Sequence, residues 1–158
     1  METKVADASA LLHAVLDCRG AKFLTTNSVA QEVLDENAKT RMDAAIQSGS
    51  MTVADPDAKS LARAKEAAAE TGDLSSLSKT DLEVIALAIE KKAVIVTDDY
   101  AIQNTARRLG LETEPAVQEG ISREVKWARK CEGCGRIYDA GKSGPCPVCG
   151  SRLLKKAV

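Results

Sequence analysis

The 158-residue chain has no uninterrupted apolar run approaching the roughly 18 residues of a membrane helix, so a bilayer-spanning segment is not expected. The start, Met1-Glu-Thr-Lys-Val, lacks a basic n-region. Its first apolar segment is interrupted by Asp7, His13 and Asp17, which argues against a secretory signal and for a cytoplasmic protein. No internal repeat or extended low-complexity tract is present. Histidine occurs once, at His13, five residues from the lone cysteine of the first half, Cys18. A cysteine–histidine nucleophile pair has no other partner to draw on, so Cys18 reads as a buried thiol. His13 reads as structural or exposed.

What is present is a 44% apolar composition, enough for a folded protein, in a length that accommodates one ordinary domain and a small module. The net charge of −1 conceals a division. From residue 121 onward nine Lys or Arg face three acidic residues, whereas the remainder carries thirteen basic against twenty acidic. Such a tail attracts polyanions and such a body needs cations, although a solvated charge bias without a partner gives the same count.

Short β-type runs alternate with longer helical ones. Strands are expected at Val5-Ala6, Lys22–Thr25, Met51–Ala54, Ala93–Thr97 and Leu111–Thr113. Helices are expected over Ser9–Cys18, ended by Gly20, over Ser28–Ile46, over Ala58–Glu70 and over Ala101–Leu109, closed by Gly110. Thr71–Lys79 is Gly- and Ser-containing and reads as a hinge-like loop. Ser78-Lys-Thr-Asp81 has the form of a capping box ahead of Leu82–Ile89, a run apolar nearly all round and hence central. The βαβα order implies an α/β fold with a mostly parallel sheet flanked by helices, whose ligands favour the carboxyl ends of the strands. Residues 1–113 are expected to form this body, 114–125 a linker, and 126–158 a small zinc module with a basic tail.

The strongest motif is the pair of CxxC knuckles, Cys131-Glu-Gly-Cys134 and Cys146-Pro-Val-Cys149, with eleven residues between them. Four thiolates can hold one structural Zn²⁺ tetrahedrally, leaving no open position for chemistry, and metal binding would fold a module too small for its own core. Disulfides, disfavoured in a reducing compartment, and rubredoxin-like iron are the competing accounts. Arg129, Lys130, Arg136, Lys142, Arg152, Lys155 and Lys156 surround the knuckles as candidate RNA contacts. Trp127 is a candidate stacking residue with an equal claim to packing on the ribbon.

In the body, Asp7, Glu32, Asp81, Asp98 and Asp99 come from separate elements, but a parallel sheet gathers Asp7 with Asp98 and Asp99 at one edge. The helices bearing Glu32 and Asp81 complete the cluster. Taken singly, each acid has a plain account as a cap or a solvated side chain. Taken together, carboxylates at close quarters need a compensating Mg²⁺ or Mn²⁺, and such a site suits phosphodiester hydrolysis without a histidine base.

These residues resemble the signature of PIN-domain nucleases: Val-Ala-Asp7-Ala-Ser9 after the first strand, Glu32, Asp81, and Thr97-Asp98-Asp99 after the fourth strand. Leu77-Ser-Lys-Thr-Asp81-Leu-Glu-Val-Ile-Ala-Leu-Ala88, Val96-Thr-Asp-Asp-Tyr-Ala-Ile-Gln-Asn104 and Trp127 before the ribbon narrow the likeness. Together they resemble the archaeal form of the NIN-one-binding protein family, PIN-domain ribosomal RNA endonucleases with a C-terminal zinc ribbon. The resemblance implies a metal-dependent endoribonuclease cleaving precursor small-subunit ribosomal RNA at its mature 3′ end. It further implies Mn²⁺ or Mg²⁺ held by Asp7, Glu32, Asp81 and one or both of Asp98 and Asp99, with Ser9 and Thr97 hydrogen-bonded to the carboxylates. The family's Thr-x-Asp pattern favours Asp99 as the direct ligand, and both aspartates are retained as candidates. Expected partners are ribosomal RNA, the precursor small subunit and assembly-factor proteins, with the chain itself a monomer. A non-catalytic ribosomal RNA-binding assembly factor is the alternative, and a toxin-like ribonuclease a third reading that the added ribbon disfavours.

Overall fold

A computed structural model describes residues 1–13, 20–116 and 126–157. Cys18, the second half of the helix expected over Ser9–Cys18 and most of the expected linker lie outside the described residues.

The body is a parallel five-stranded sheet in the order β3-β2-β1-β4-β5, formed by β1 (Glu2–Ala6), β2 (Ala21–Thr25), β3 (Met51–Val53), β4 (Val94–Val96) and β5 (Thr113–Glu114). Strands β2 and β4 are buried on both faces, as a sheet covered by helices requires: all three residues of β4 and four of five in β2 are buried. Helices α1 (Ala8–His13), α2 (Asn27–Glu32), α3 (Glu36–Gln47), α4 (Ala58–Thr71), α5 (Lys79–Lys91) and α6 (Tyr100–Arg108) supply the covering layers. As its all-round apolar run requires, α5 is central: Val84, Ile85, Ala86, Leu87 and Ala88 are each fully buried. Its capping box is present, with Ser78 Oγ accepting from the Asp81 amide and Asp81 Oδ2 accepting from the Ser78 amide.

The order of the strands positions the site. From β1 the chain builds outward through β2 to β3, then crosses back to place β4 on the other side of β1. The carboxyl ends of β1 and β4 therefore flank the point where the winding reverses, the usual ligand position in such sheets. Ala6 pairs with Val96, so Asp7 and Thr97 leave the sheet side by side.

Three local departures from the sequence reading have physical causes. The single helix expected over Ser28–Ile46 is two, because Val33 is extended and buried while the Asp35 side chain accepts from the Ala38 amide and starts α3 afresh. Glu32 consequently ends α2 rather than riding mid-helix. The hinge-like stretch after α4 is pinned: the wholly buried Asp73 accepts from Thr71 Oγ1 at 2.8 Å and from Asn104 Nδ2 at 2.7 Å, and Leu74–Ser76 forms a 3-10 turn. The last body strand falls on Thr113–Glu114, where Glu114 is also held by Lys4 at 2.7 Å.

The C-terminal module is an antiparallel three-stranded sheet of β6 (Trp127–Cys131), β7 (Ile137–Asp139) and β8 (Leu153–Ala157), in the order β7-β6-β8. Its only buried side chains among the described residues are Ala128, Cys131 and Cys146, so apolar burial alone does not hold it together. Among the described residues no helix is long and apolar enough to cross a membrane.

Candidate active site and thiolate centre

Asp7 is the hub of the acidic edge. It is buried, and Oδ1 accepts from Ser9 Oγ at 2.7 Å and from the Ala10 amide at 2.9 Å, while Oδ2 accepts from Thr97 Oγ1. The same two hydroxyls reach the other strand end. Ser9 Oγ accepts from the Asp98 amide at 3.1 Å, and Thr97 Oγ1 accepts from the Asp99 amide at 3.0 Å. Gln103, buried on α6, donates to the Thr97 carbonyl at 2.8 Å and fixes that turn; it lies inside the Val96–Asn104 motif, which gave it no role of its own. The acid of one strand is thus cross-linked to the turn following its neighbour.

The two aspartates of that turn differ. Asp98 Oδ1 accepts from the Ala116 amide at 2.8 Å, directed at the chain leaving β5. Asp99 caps α6, accepting from the Ala101 amide at 2.8 Å, and it senses the charges of Asp81 and Asp7. Burial pushes the Asp99 carboxyl above the ordinary aspartate value, opposed by the Ala101 amide and reinforced by Asp81. Asp7 is displaced in the same direction, by burial first, against the hydrogen bonds from Thr97, Ala10 and Ser9, with the charge of Asp81 adding to the rise. The charge of Asp81 thus acts on both Asp7 and Asp99, and that of Asp7 acts on Asp99.

Glu32 reaches this edge from the last position of α2. It is exposed, and its Oε1 accepts from Thr80 Oγ1 at 2.7 Å, one residue before Asp81. A second clasp, Ser28 Oγ to Glu83 Oε2 at 2.6 Å, joins the same two helices. Neither partner of Glu32 and Glu83 has a role legible in the sequence: Ser28 is a lone hydroxyl on a helix, and Thr80 sits inside the Leu77–Ala88 motif with nothing local to link it to Glu32.

Asp7, Asp81 and Asp99 offer hard oxygen donors of the kind that suits Mg²⁺ or Mn²⁺, but among the described residues the acids do not draw together into a ready metal cluster as the four cysteines of the ribbon do. In the ribbon, Cys131, Cys134, Cys146 and Cys149 present sulfurs that all lie within 4.8 Å of one another. The Cys131–Cys149 and Cys134–Cys146 separations are 3.3 and 3.8 Å, far beyond a disulfide bond of about 2.05 Å. The Cys134 amide points at Cys131 Sγ, 3.4 Å away, as a metal knuckle does. Tyr138 places its hydroxyl 3.2 Å from Cys146 Sγ and holds that thiol down to about 6, favouring the thiolate a metal requires. The set fits one zinc ion.

The basic residues do not form one face. Lys155 turns to the body: its Nζ lies 4.6 Å from the centroid of the Trp127 ring and donates to Ser76 Oγ at 3.2 Å. Arg129 donates to the Ala140 carbonyl at 3.3 Å, and Arg152 lies 3.5 Å from Glu132. Lys156 is crowded by Lys130, whose proximity lowers its pKa, while Arg136 and Lys142 are exposed beside the knuckles.

Comparison with known proteins agrees with this architecture. Residues 5–90 match the family model described as the PIN domain of ribonuclease. The chain is 40% identical to Endoribonuclease Nob1 of Pyrococcus abyssi over 93% of its own length and 89% of that protein. It is 35% identical to Endoribonuclease Nob1 of Methanothermobacter thermautotrophicus over 97% of its length and 92% of that protein. A further relative, the 20S-pre-rRNA D-site endonuclease NOB1 of Saccharomyces cerevisiae, is 31% identical over 51% of this chain and 18% of its own length. With the matched model spanning more than half the chain and relatives aligned over nearly all of it, the chain belongs to the Nob1 family of PIN-domain endoribonucleases.

Proposed function

We propose that this endoribonuclease cleaves precursor small-subunit ribosomal RNA at its mature 3′ end, using the body to cut and the ribbon to hold the RNA. The observation that carries the reading is the cross-linking, by Ser9 and Thr97, of the buried Asp7 to the turn bearing Asp98 and Asp99 at the reversal point of the sheet, where the charge of Asp81 acts on Asp7 and Asp99. The substrate assignment draws support from the yeast relative, whose name gives precursor ribosomal RNA as its target.

In this reading Asp7, Asp81 and Asp99 hold divalent Mn²⁺ or Mg²⁺, with Glu32 at the open rim and Asp98 bracing the exit of β5. Bound there, the metal supplies compensation for the charge of the scissile phosphate and activation of a water for in-line attack. Ser9 and Thr97 orient the buried carboxylate of Asp7, and each also bridges to the turn carrying Asp98 and Asp99. The acids repel the RNA backbone until they are neutralised, so affinity for RNA comes from elsewhere: Lys130 and Lys156, crowded together on the ribbon, are stabilised by a polyanion. Zinc on the four cysteines fixes the ribbon's shape. The protein acts as a monomer in the cytoplasm, on the precursor subunit with its assembly factors.

The test is cleavage of an RNA spanning the mature 3′ end with Mn²⁺, comparing wild type with Asp7→Asn. Site-specific cutting by the wild type alone, with RNA binding retained in Asp7→Asn, is the expected result. Tight binding without cutting by the wild type would replace this reading with a non-catalytic assembly factor.

A further inference from the structure

The ribbon is seated on the body at the end of α4, and the seat encloses a cleft that the cutting site does not use. Gly72 ends α4 at φ +81°, and a Cβ built on it would lie 2.8 Å from the Trp127 carbonyl oxygen and 2.9 Å from Ala140 Cβ. Only glycine permits that approach. Beside the contact lies a cleft of about 470 Å³, within the roughly 300–1,000 Å³ range of small-ligand pockets. Ala69, Leu74 and Ser75 line it from the body, and Trp127, Asp139 and Ala140 from the ribbon. Lys126 also lines it, and Lys155 ties Trp127 to Ser76 close by.

We infer that this cleft between ribbon and body receives one unpaired base of the RNA, stacked on Trp127. An apolar slot walled by an indole and small side chains suits a flat aromatic face. Ser75 and Asp139 suit the amino and imino hydrogens of a base edge, and Lys126 meets a flanking phosphate. Proteins that bind single-stranded RNA combine these same three elements, a stacking surface, edge acceptors and cations tracking the backbone. The base would register the strand so that the scissile phosphate meets the acidic edge at a fixed spacing. This inference rests on the RNA-cleaving reading for its ligand.

Trp127 is the chain's one tryptophan, so its emission reports this cleft directly. The experiment titrates the zinc-loaded full chain, without Mn²⁺ or Mg²⁺, with AMP, a short oligoadenylate and ribose 5-phosphate, following indole fluorescence. Saturable quenching by AMP and oligoadenylate but not by ribose 5-phosphate is expected. Ala69→Leu fills the cleft from an exposed helix position and should weaken that binding roughly tenfold or more, with zinc content unchanged. Absence of quenching, equal quenching by ribose 5-phosphate, or unaltered affinity in Ala69→Leu would each overturn the inference. Cleavage of RNA by the wild type without quenching removes the cleft and leaves the nuclease. Quenching without cleavage does the reverse.

Discussion

Replacing Gly72 by alanine isolates the contact that joins the two parts of this protein. The substitution has two separable effects. The first is conformational: at φ +81° a residue with a Cβ is strained, costing about 1 kcal/mol. The second is steric, because the added carbon meets a backbone oxygen of Trp127 and the Cβ of Ala140 at separations real Cβ atoms do not show. Neither neighbour can swing aside as a long side chain would, so the ribbon must lift from the end of α4. Gly49 provides the control: its φ is +80°, yet nothing lies within 4 Å of its Cβ position. Both variants should lose about 2–4 °C in Tm from strain, read by far-UV circular dichroism. Only Gly72→Ala should shift Trp127 emission to longer wavelength and open the indole to acrylamide. Emission in Gly72→Ala identical to that in wild type and Gly49→Ala would refute the seating of the ribbon.

Four further outcomes follow from the geometry. Asp99→Asn, which keeps the α6 cap but removes the charge facing Asp7 and Asp81, should abolish cleavage, whereas Asp98→Ala should retain it and cost about 1 kcal/mol of stability through the lost Ala116 contact; equal loss of cleavage in both would make the two aspartates equivalent. Because burial raises the Asp7 carboxyl, the stability linked to it is fully present below the ordinary value of 3.8 and is lost as pH rises through the raised folded value. Asp7→Asn, free of Mn²⁺ and Mg²⁺, should therefore melt above wild type at pH near 7, with the gap closing on acidification; a variant no more stable near pH 7 would contradict this. Cys146→Ser should eliminate bound zinc, measured by metal analysis, and unfold the ribbon while the body melts cooperatively as before; retention of a full zinc equivalent would disprove the four-thiolate site. Lys156→Ala should lower the salt slope of RNA binding by about 1, and an unchanged slope would place Lys156 outside the interface.

Much of this protein is legible in the chain because the relevant signals are local. The CxxC knuckles are self-contained turns, and their sulfurs meet as the spacing requires. The capping box at Ser78 and Asp81 needs only four consecutive residues, and the alternation of strand and helix periods already implies a parallel sheet. Asp7 stands out as a charge ending an apolar strand. Where two local signals compete, the sequence is weaker: the helical period running from Ser28 to Ile46 hides the Asp35 cap that breaks it, and with it the placement of Glu32. The tertiary structure alone decides what depends on distant partners. Strand order sets β4 beside β1, and so lets Ser9 tie Asp7 to the Asp98 amide and Thr97 tie it to the Asp99 amide, while the Asp98 side chain turns to Ala116. A buried Asp73 converts an apparent hinge into a fixed seat, and docking of the ribbon there draws Lys155 inward to Trp127 and Ser76. Periodicity and caps are properties of neighbours along the chain, whereas these contacts join residues up to 90 positions apart and exist only once the sheet and its helices have packed.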